Sequence, residues 1–328
     1  MNEPRSLPGE FELISRYFAP LSKGFAGAFG LLDDAAVVRP APGQDLVVKT
    51  DAILGGIHFR PDDPPDLVGR KALRANLSDL AAKGAVPRAY VLDLMLPHGI
   101  EESWVATFAR GLAEDQAEFG IHLIGGDTDS TTGPVAIAIT AFGEVASGRM
   151  ILRSGARAGD LIYVTDTIGD AALGLDVLRG AVFPPDSESA QYLIARYRLP
   201  SPPVTLGPRL MGQAMASIDI SDGLIADLRH VCDVSNVAAL IQSDRVPLSA
   251  AARSIVAAHP ACLRTVLSGG DDYQILFTAP PAKAELLAAL SQEFRLPITA
   301  IGHITDASGR KGDRVSVLDA GGKPLTLV

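Results

Sequence analysis

Two hydrophobic periods run along this chain. Residues 45–50 (DLVVKT) and 89–95 (AYVLDLM) are short apolar runs that read as buried strands, whereas 67–84 and 101–119 repeat apolar residues at three- and four-residue spacing and predict helices. In the first of these helices Leu73, Leu77 and Leu80 fall on one stripe. Asn76, Asp79 and Lys83 share a neighbouring face, where an i, i+4 pair of Asp79 with Lys83 competes with a role in lining a site. The strand-like PVAIAITAFGEV (134–145) leads into a polar, glycine-containing stretch, ASGRMILRSGARAGD, which places a domain boundary near residue 147. The second half opens with a strand, LIYVT (161–165), then Gly169 and a helical run through Leu178. PSPPVTLGP (200–208) is a proline-rich loop that approaches a helix predicted at about 209–216. The pattern predicts an α/β protein with mixed sheets flanked by helices, divided into residues 1–147 and 148–328.

Composition narrows the class. At 328 residues, with 47% apolar and 20% charged residues, the chain has core material for two domains. No run approaches the roughly 18 apolar residues of a membrane span, and the start, MNEPRSLPGEFELISRYF, has no basic region followed by an apolar block, so a cytoplasmic location is expected. A net charge of −9 offers no basic footprint for nucleic acid. Cys232 and Cys262 have neither CxxC spacing nor a disulfide framework, and read as free thiols.

Against that background the aspartates stand out. Asp33, Asp34, Asp51, Asp79, Asp127, Asp129, Asp219, Asp222, Asp271 and Asp272 sit in short phrases rich in Gly, Ser or Thr at the ends of apolar runs. Hard divalent cations take oxygen ligands and are held by a few carboxylates plus substrate phosphates, so this distribution suggests a cation-dependent phosphate site. Each phrase also has an ordinary reading. Asp219-Ile220-Ser221-Asp222-Gly223 is a strand end feeding a helix, where Ser221 or Asp222 would serve as a cap. Ile124-Gly125-Gly126-Asp127 is a strand end entering a Gly-Gly turn, either a plain turn or a cradle for an anion with Asp127 holding metal. Thr50-Asp51 closes the strand at 45–50, and His58 follows on the next loop as either a ligand contact or a structural hydrogen-bonding residue. The Walker A ending GK[ST] and the kinase phrases HRD and DFG are missing.

The phrases LLDDAAVV, TDAILGGIHF, NLSDLAAKGAVPRAYVLDLMLP, IGGDTDSTTGP, RSGARAGD, DISDGLIADL and SGGDDYQILFT, spread over residues 9–280, resemble the thiamine-monophosphate kinases. That family lies within the aminoimidazole-ribonucleotide-synthetase-like group. The resemblance implies a two-domain α/β fold of that type, with amino-terminal sheets pairing across a homodimer. It implies an ATP- and metal-binding first domain, and a second that completes the nucleotide and substrate site. The implied reaction is Mg2+-dependent, in-line transfer of a phosphoryl group from ATP to thiamine monophosphate, giving thiamine diphosphate.

Residue by residue, the resemblance implies Asp34, Thr50, Asp51, Asp79, Asp127, Asp219 and Asp222 as ligands of several Mg2+ ions. Gly126, Asp127, Arg153 and Ser221 are implied for ATP, and His58 and Asp271 for thiamine monophosphate. No general base is implied, because the acceptor phosphate is already ionised at neutral pH. The chain departs from the family pattern where Leu32 replaces a glycine, Lys49 a hydroxyl residue and Asp271 a glutamate. It also ends in Lys323-Pro324-Leu325-Thr326-Leu327-Val328, without an aromatic to stack on thiamine. Two other readings are a related enzyme with a different acceptor and a nucleotide-binding protein without turnover.

Overall fold

Alternation of inward and outward side chains sets the first sheet. In β1 (Gln44–Leu54) Val47 and Ile53 are buried while Val48, between them, is 56% exposed, so this strand has one dry face rather than two. The structure, a computed structural model, describes residues 7–307 and 314–325. The sheet runs in the order β1-β4-β2-β3, with β2 (Val86–Pro97), β3 (His122–Thr131) and β4 (Ala136–Ala146). β4 is antiparallel to both β1 and β2, and β2 is parallel to β3. Ahead of the sheet lies the short α1 (Glu10–Leu13).

Two long helices complete this first unit, α2 (Pro65–Ala82) and α3 (Glu102–Phe119). The expected stripe of α2 is fully buried at Leu73, Leu77 and Leu80, and so is Asn76 on the neighbouring face. A buried ion cluster ties α2 to α3. Asp115 receives Arg74 through two bonds of 2.8 and 2.9 Å and the Arg70 Nε at 2.7 Å, while remaining fully out of solvent. By contact density the first unit comprises Met1–Leu80 and Ala85–Gly148, and the second comprises Ala81–Gly84 and Arg149–Val328.

The second unit is built on six strands in the order β10-β7-β9-β5-β8-β6. These are β5 (Leu161–Thr165), β6 (Ala216–Asp219), β7 (Val237–Gln242), β8 (Ile275–Ala279), β9 (Ile298–Asp306) and β10 (Val315–Leu318). All neighbours are antiparallel except β10 and β7. The helices are α4 (Asp170–Leu178), α5 (Ser187–Arg198), α6 (Leu224–Ser235), α7 (Ala250–Ala258), α8 (Cys262–Ser268) and α9 (Ala284–Phe294). One core packs α6 against the sheet through Leu224, Leu228, Val231, Ile218 and Leu276. A second gathers Tyr163, Phe277, Leu287 and Leu290.

The helix predicted at 209–216 is not formed. A single 3-10 turn at Gly207–Leu210 stands there, and Ala216 already begins β6. Pro208 can start such a turn, but Gly212 at φ +74° breaks helical continuation. No helix among the described residues is long and apolar enough to cross a membrane. Residues 1–6, part of the start read for a leader, and residues 326–328, part of the tail read for an aromatic, lie outside the described residues.

Candidate active site

Thr50 and Asp51 do not close their strand. β1 continues to Leu54, and the antiparallel register sets Thr50 opposite Thr140 and Asp51 opposite Ile139. Two-residue alternation therefore sends their side chains to opposite faces. The Thr50 hydroxyl donates to the Ile139 carbonyl at 3.2 Å and accepts from Thr140 Oγ1 at 3.0 Å. Asp51 shares the face of Lys49, whose Nζ lies 3.1 Å from Asp51 Oδ1 and 3.0 Å from Asp79 Oδ2 on α2. Burial works against that ammonium, but Asp79 and Asp51 outweigh it and hold its pKa above the ordinary lysine value. Asn76, three residues before Asp79, donates to the Ala72 carbonyl at 3.1 Å, and its buried Oδ1 has no hydrogen-bond partner among the described residues.

The Gly125-Gly126 phrase is a bulge within a strand, not a turn after one. Tyr90 pairs with Leu123 but Val91 pairs with Gly125, so Ile124 is the extra residue and β3 runs on through Asp127 to Thr131. The bulge needs glycine at 126. Its φ is +146°, and a Cβ there would lie 1.8 Å from the Leu92 carbonyl oxygen on the paired strand. Gly126 and the exposed Asp127 line one cleft with Asp33 and Asp34. Asp127 Oδ1 accepts the Thr128 N–H at 2.8 Å, and Asp33 Oδ1 accepts the Asp34 N–H at 2.8 Å. His58 is exposed, and its Nδ1 accepts the Leu54 N–H at 3.0 Å.

In the second unit two acidic phrases far apart in sequence are laced together. The Asp271 N–H donates to the Ser221 carbonyl at 2.9 Å, Tyr273 N–H to Ile220 at 2.7 Å, and Ile220 N–H to Gln274 at 2.8 Å. Asp219 ends β6 almost wholly buried, while Asp222 is exposed at the mouth of α6. Neither Ser221 nor Asp222 caps α6 as expected, because Gly223 holds that place without a side chain. Asp227, one turn into the helix, reaches back instead. Its Oδ2 accepts the N–H groups of Ser221 (3.1 Å), Asp222 (3.1 Å) and Gly223 (3.0 Å). Burial pushes this carboxyl up to about 6, against the three N–H donors that favour its charged form. Along the chain Asp227 is only an acid in a helix's first turn, too common a signal to single it out.

Asp272 anchors the other phrase. Fully enclosed, it accepts N–H groups from Gly169 at 2.7 Å and Ala171 at 3.4 Å at the start of α4, and burial pushes it up to about 8. The remaining aspartate without an expected role, Asp129, lies exposed within β3, where its Oδ1 accepts the Ser130 N–H at 2.6 Å. Arg153 is exposed, and its carbonyl accepts from Ser235 Oγ at 3.5 Å.

The carboxylate oxygens of Asp51 and Asp79, which converge in the first unit, are of the kind a hard divalent cation takes, and Asn76 on the same helix as Asp79 has an unspent amide oxygen. Among the described residues, no three acidic, histidine or cysteine side chains cluster closely enough to hold a metal ion by themselves.

Residues 32–145 match the family described as AIR synthase related protein, N-terminal domain. The thiamine-monophosphate kinase of Caulobacter vibrioides is 41% identical over 305 residues, covering 92% of this chain and 86% of that protein. Among solved structures, the thiamine-monophosphate kinase from Stenotrophomonas maltophilia K279a is 38% identical with a TM-score of 0.84, covering 96% of this chain and 98% of that one. AaThiL complexed with AMPPCP and TMP is 30% identical with a TM-score of 0.74, covering 91% and 94%.

Proposed function

The chain belongs to the thiamine-monophosphate kinase family and is a kinase, and from that premise we propose that it moves the γ-phosphoryl group of ATP directly to thiamine monophosphate, giving thiamine diphosphate and ADP. The observation that carries the proposal is the likeness, over nearly the whole chain, to AaThiL complexed with AMPPCP and TMP. The reading adds Mg2+ as cofactor and direct in-line transfer as mechanism.

Asp34, Thr50, Asp51, Asp79, Asp127, Asp219 and Asp222 form the proposed ligand set for Mg2+. When bound, Mg2+ neutralises phosphate charge and stabilises charge developing on the transferred group. The chain's own groups then have three tasks. Gly126 lets the main chain approach the nucleotide without a side chain in the way, while Ser221 and Arg153 bind phosphate oxygens, Arg153 through its planar fork of donors. His58 and Asp271 orient thiamine monophosphate. No side chain needs to take a proton, because the attacking oxygen belongs to an ionised phosphate. Holding two polyanions in line therefore dominates catalysis.

The tight lacing of Ser221 to Asp271 supports this division, since one rigid loop pair joins a proposed nucleotide contact to a proposed substrate contact. In this reading residues 1–147 bind ATP and metal and form the dimer, and residues 148–328 complete the nucleotide and substrate site. β1 is an edge strand with Val48 exposed, which supports pairing with a second copy. The proposed location is the cytoplasm. Chromatographic analysis after incubation with ATP, Mg2+ and thiamine monophosphate should give thiamine diphosphate and ADP in equal amounts. Absence of thiamine diphosphate with every divalent metal tried would overturn the proposal.

A further inference from the structure

The geometry points to Lys49 as a resident cation that takes the bridging position between Asp51 and Asp79, so that this chain holds one divalent ion fewer than it would with a neutral residue there. The inference rests on the metal-assisted reading above. Alternation along β1 puts Lys49 and Asp51 on the sheet face that meets α2, and α2 brings Asp79 to the same point. Lys49 Nζ lies 3.1 Å from one carboxylate and 3.0 Å from the other. A Mg2+ ion shared by these oxygens would need to stand about 2.0–2.1 Å from each. The ammonium already fills that gap, and the two cations would repel at such range.

The charges differ as well as the sizes. One ammonium beside two carboxylates leaves a net single negative charge, whereas a dication would leave none. The remaining charge still attracts metal to the outer carboxylate oxygens, so Lys49 displaces one ion from the group without abolishing metal binding. The ammonium also cross-links β1 to α2 in the metal-free protein, a task that a bound ion would otherwise perform. The side chains of Lys49 and Asp79 are 28% and 11% exposed, which shields the contact from solvent and from salt.

The test counts ions rather than turnover. Mn2+ is titrated into wild type, Lys49→Ser, Lys49→Met and Lys49→Arg in the presence of AMPPCP, with free Mn2+ followed by electron paramagnetic resonance and melting temperature recorded at each step. The two neutral variants should bind one additional Mn2+ per chain and show a larger Mn2+-induced rise in melting temperature, while Lys49→Arg keeps the wild-type count. Equal counts and equal rises in all four proteins would overturn the inference. If neither neutral variant folds, wild-type crystals soaked in Mn2+ decide the question by anomalous scattering. A peak within about 2.5 Å of both Asp51 and Asp79 would overturn the inference, and its absence with peaks elsewhere in the site supports it. Product analysis of the same wild-type preparation separates the two claims. Thiamine diphosphate formation with unchanged ion counts removes the role of Lys49 and leaves the kinase reading intact.

Discussion

Replacing Asp227 separates loop positioning from global stability. Its Oδ2 is the common acceptor for the N–H groups of Ser221, Asp222 and Gly223, and only the Gly223 bond is fully buried. Asp227→Ala leaves one buried donor unsatisfied, at about 1–3 kcal/mol, and two that water can reach, at about 0.5–1.5 kcal/mol each. The gross loss is thus roughly 2–6 kcal/mol. An opposing effect comes from the charge itself. A carboxyl raised from 3.8 to about 6 disfavours its ionised form in the folded state by about 3 kcal/mol at pH 8, and alanine removes that cost. The net loss of unfolding free energy is therefore small, roughly −1 to 3 kcal/mol.

Function has no such compensation. The freed loop carries Ser221 and Asp222, and an error of about 1 Å in a positioned group can cost on the order of 10²-fold in rate. Asp227→Ala should therefore lower kcat/KM for ATP by about 10²-fold with a modest shift in the urea midpoint. Asp227→Asn keeps an acceptor oxygen without the buried charge and should lose less than about tenfold. Both variants are measured by steady-state kinetics beside urea denaturation. Asp227→Ala within threefold of wild-type kcat/KM would refute the positioning argument, whatever its stability.

Three further outcomes follow from the packing and the titrations. Gly126→Ala places a Cβ 1.8 Å from the Leu92 oxygen, so β3 must shift away from β2 beside Asp127; activity should fall by about 10²-fold, and steady-state activity within threefold of wild type would contradict it. Asp115→Ala removes the fully buried partner of Arg74 and Arg70, leaving them only the half-exposed Glu118 and Glu114, and should cost about 1.5–3 kcal/mol in urea unfolding, whereas a loss below about 1 kcal/mol would show that the cluster is not needed. For Asp272 the folded value of about 8 lies above the ordinary 3.8, so the native state holds the proton more tightly. Its contribution is complete below pH 4 and is lost as pH rises towards 8. The urea midpoint of wild type should therefore fall more between pH 5 and pH 8 than that of Asp272→Asn, and equal falls would refute the assignment.

The periodic elements were legible because their signal is local. Leu73, Leu77 and Leu80 repeat at helical spacing and are buried in α2, and the alternating run at 134–145 became β4. Non-local pairing was invisible. The antiparallel partnership with β4 carries β1 four residues past Thr50, and the parallel partnership with β2 keeps β3 extended through two glycines that read as a turn. At 209–216 the composition favours a helix, but one glycine at positive φ defeats it. Among the candidate site residues, chemical type was legible and companionship was not. That Lys49 stands between Asp51 and Asp79, or that Ser221 is bonded to Asp271, depends on contacts between segments distant in sequence.

The central claim is direct transfer from ATP to thiamine monophosphate, and the stereochemistry at phosphorus tests it most closely. ATP made chiral at its γ-phosphorus with oxygen isotopes is turned over with Mg2+ and thiamine monophosphate, and the configuration of the terminal phosphorus in the thiamine diphosphate is determined by phosphorus NMR. A single in-line transfer predicts inversion. Retention, which requires a phosphorylated enzyme intermediate, or a labelled phosphoryl group that never reaches thiamine diphosphate, would contradict the account.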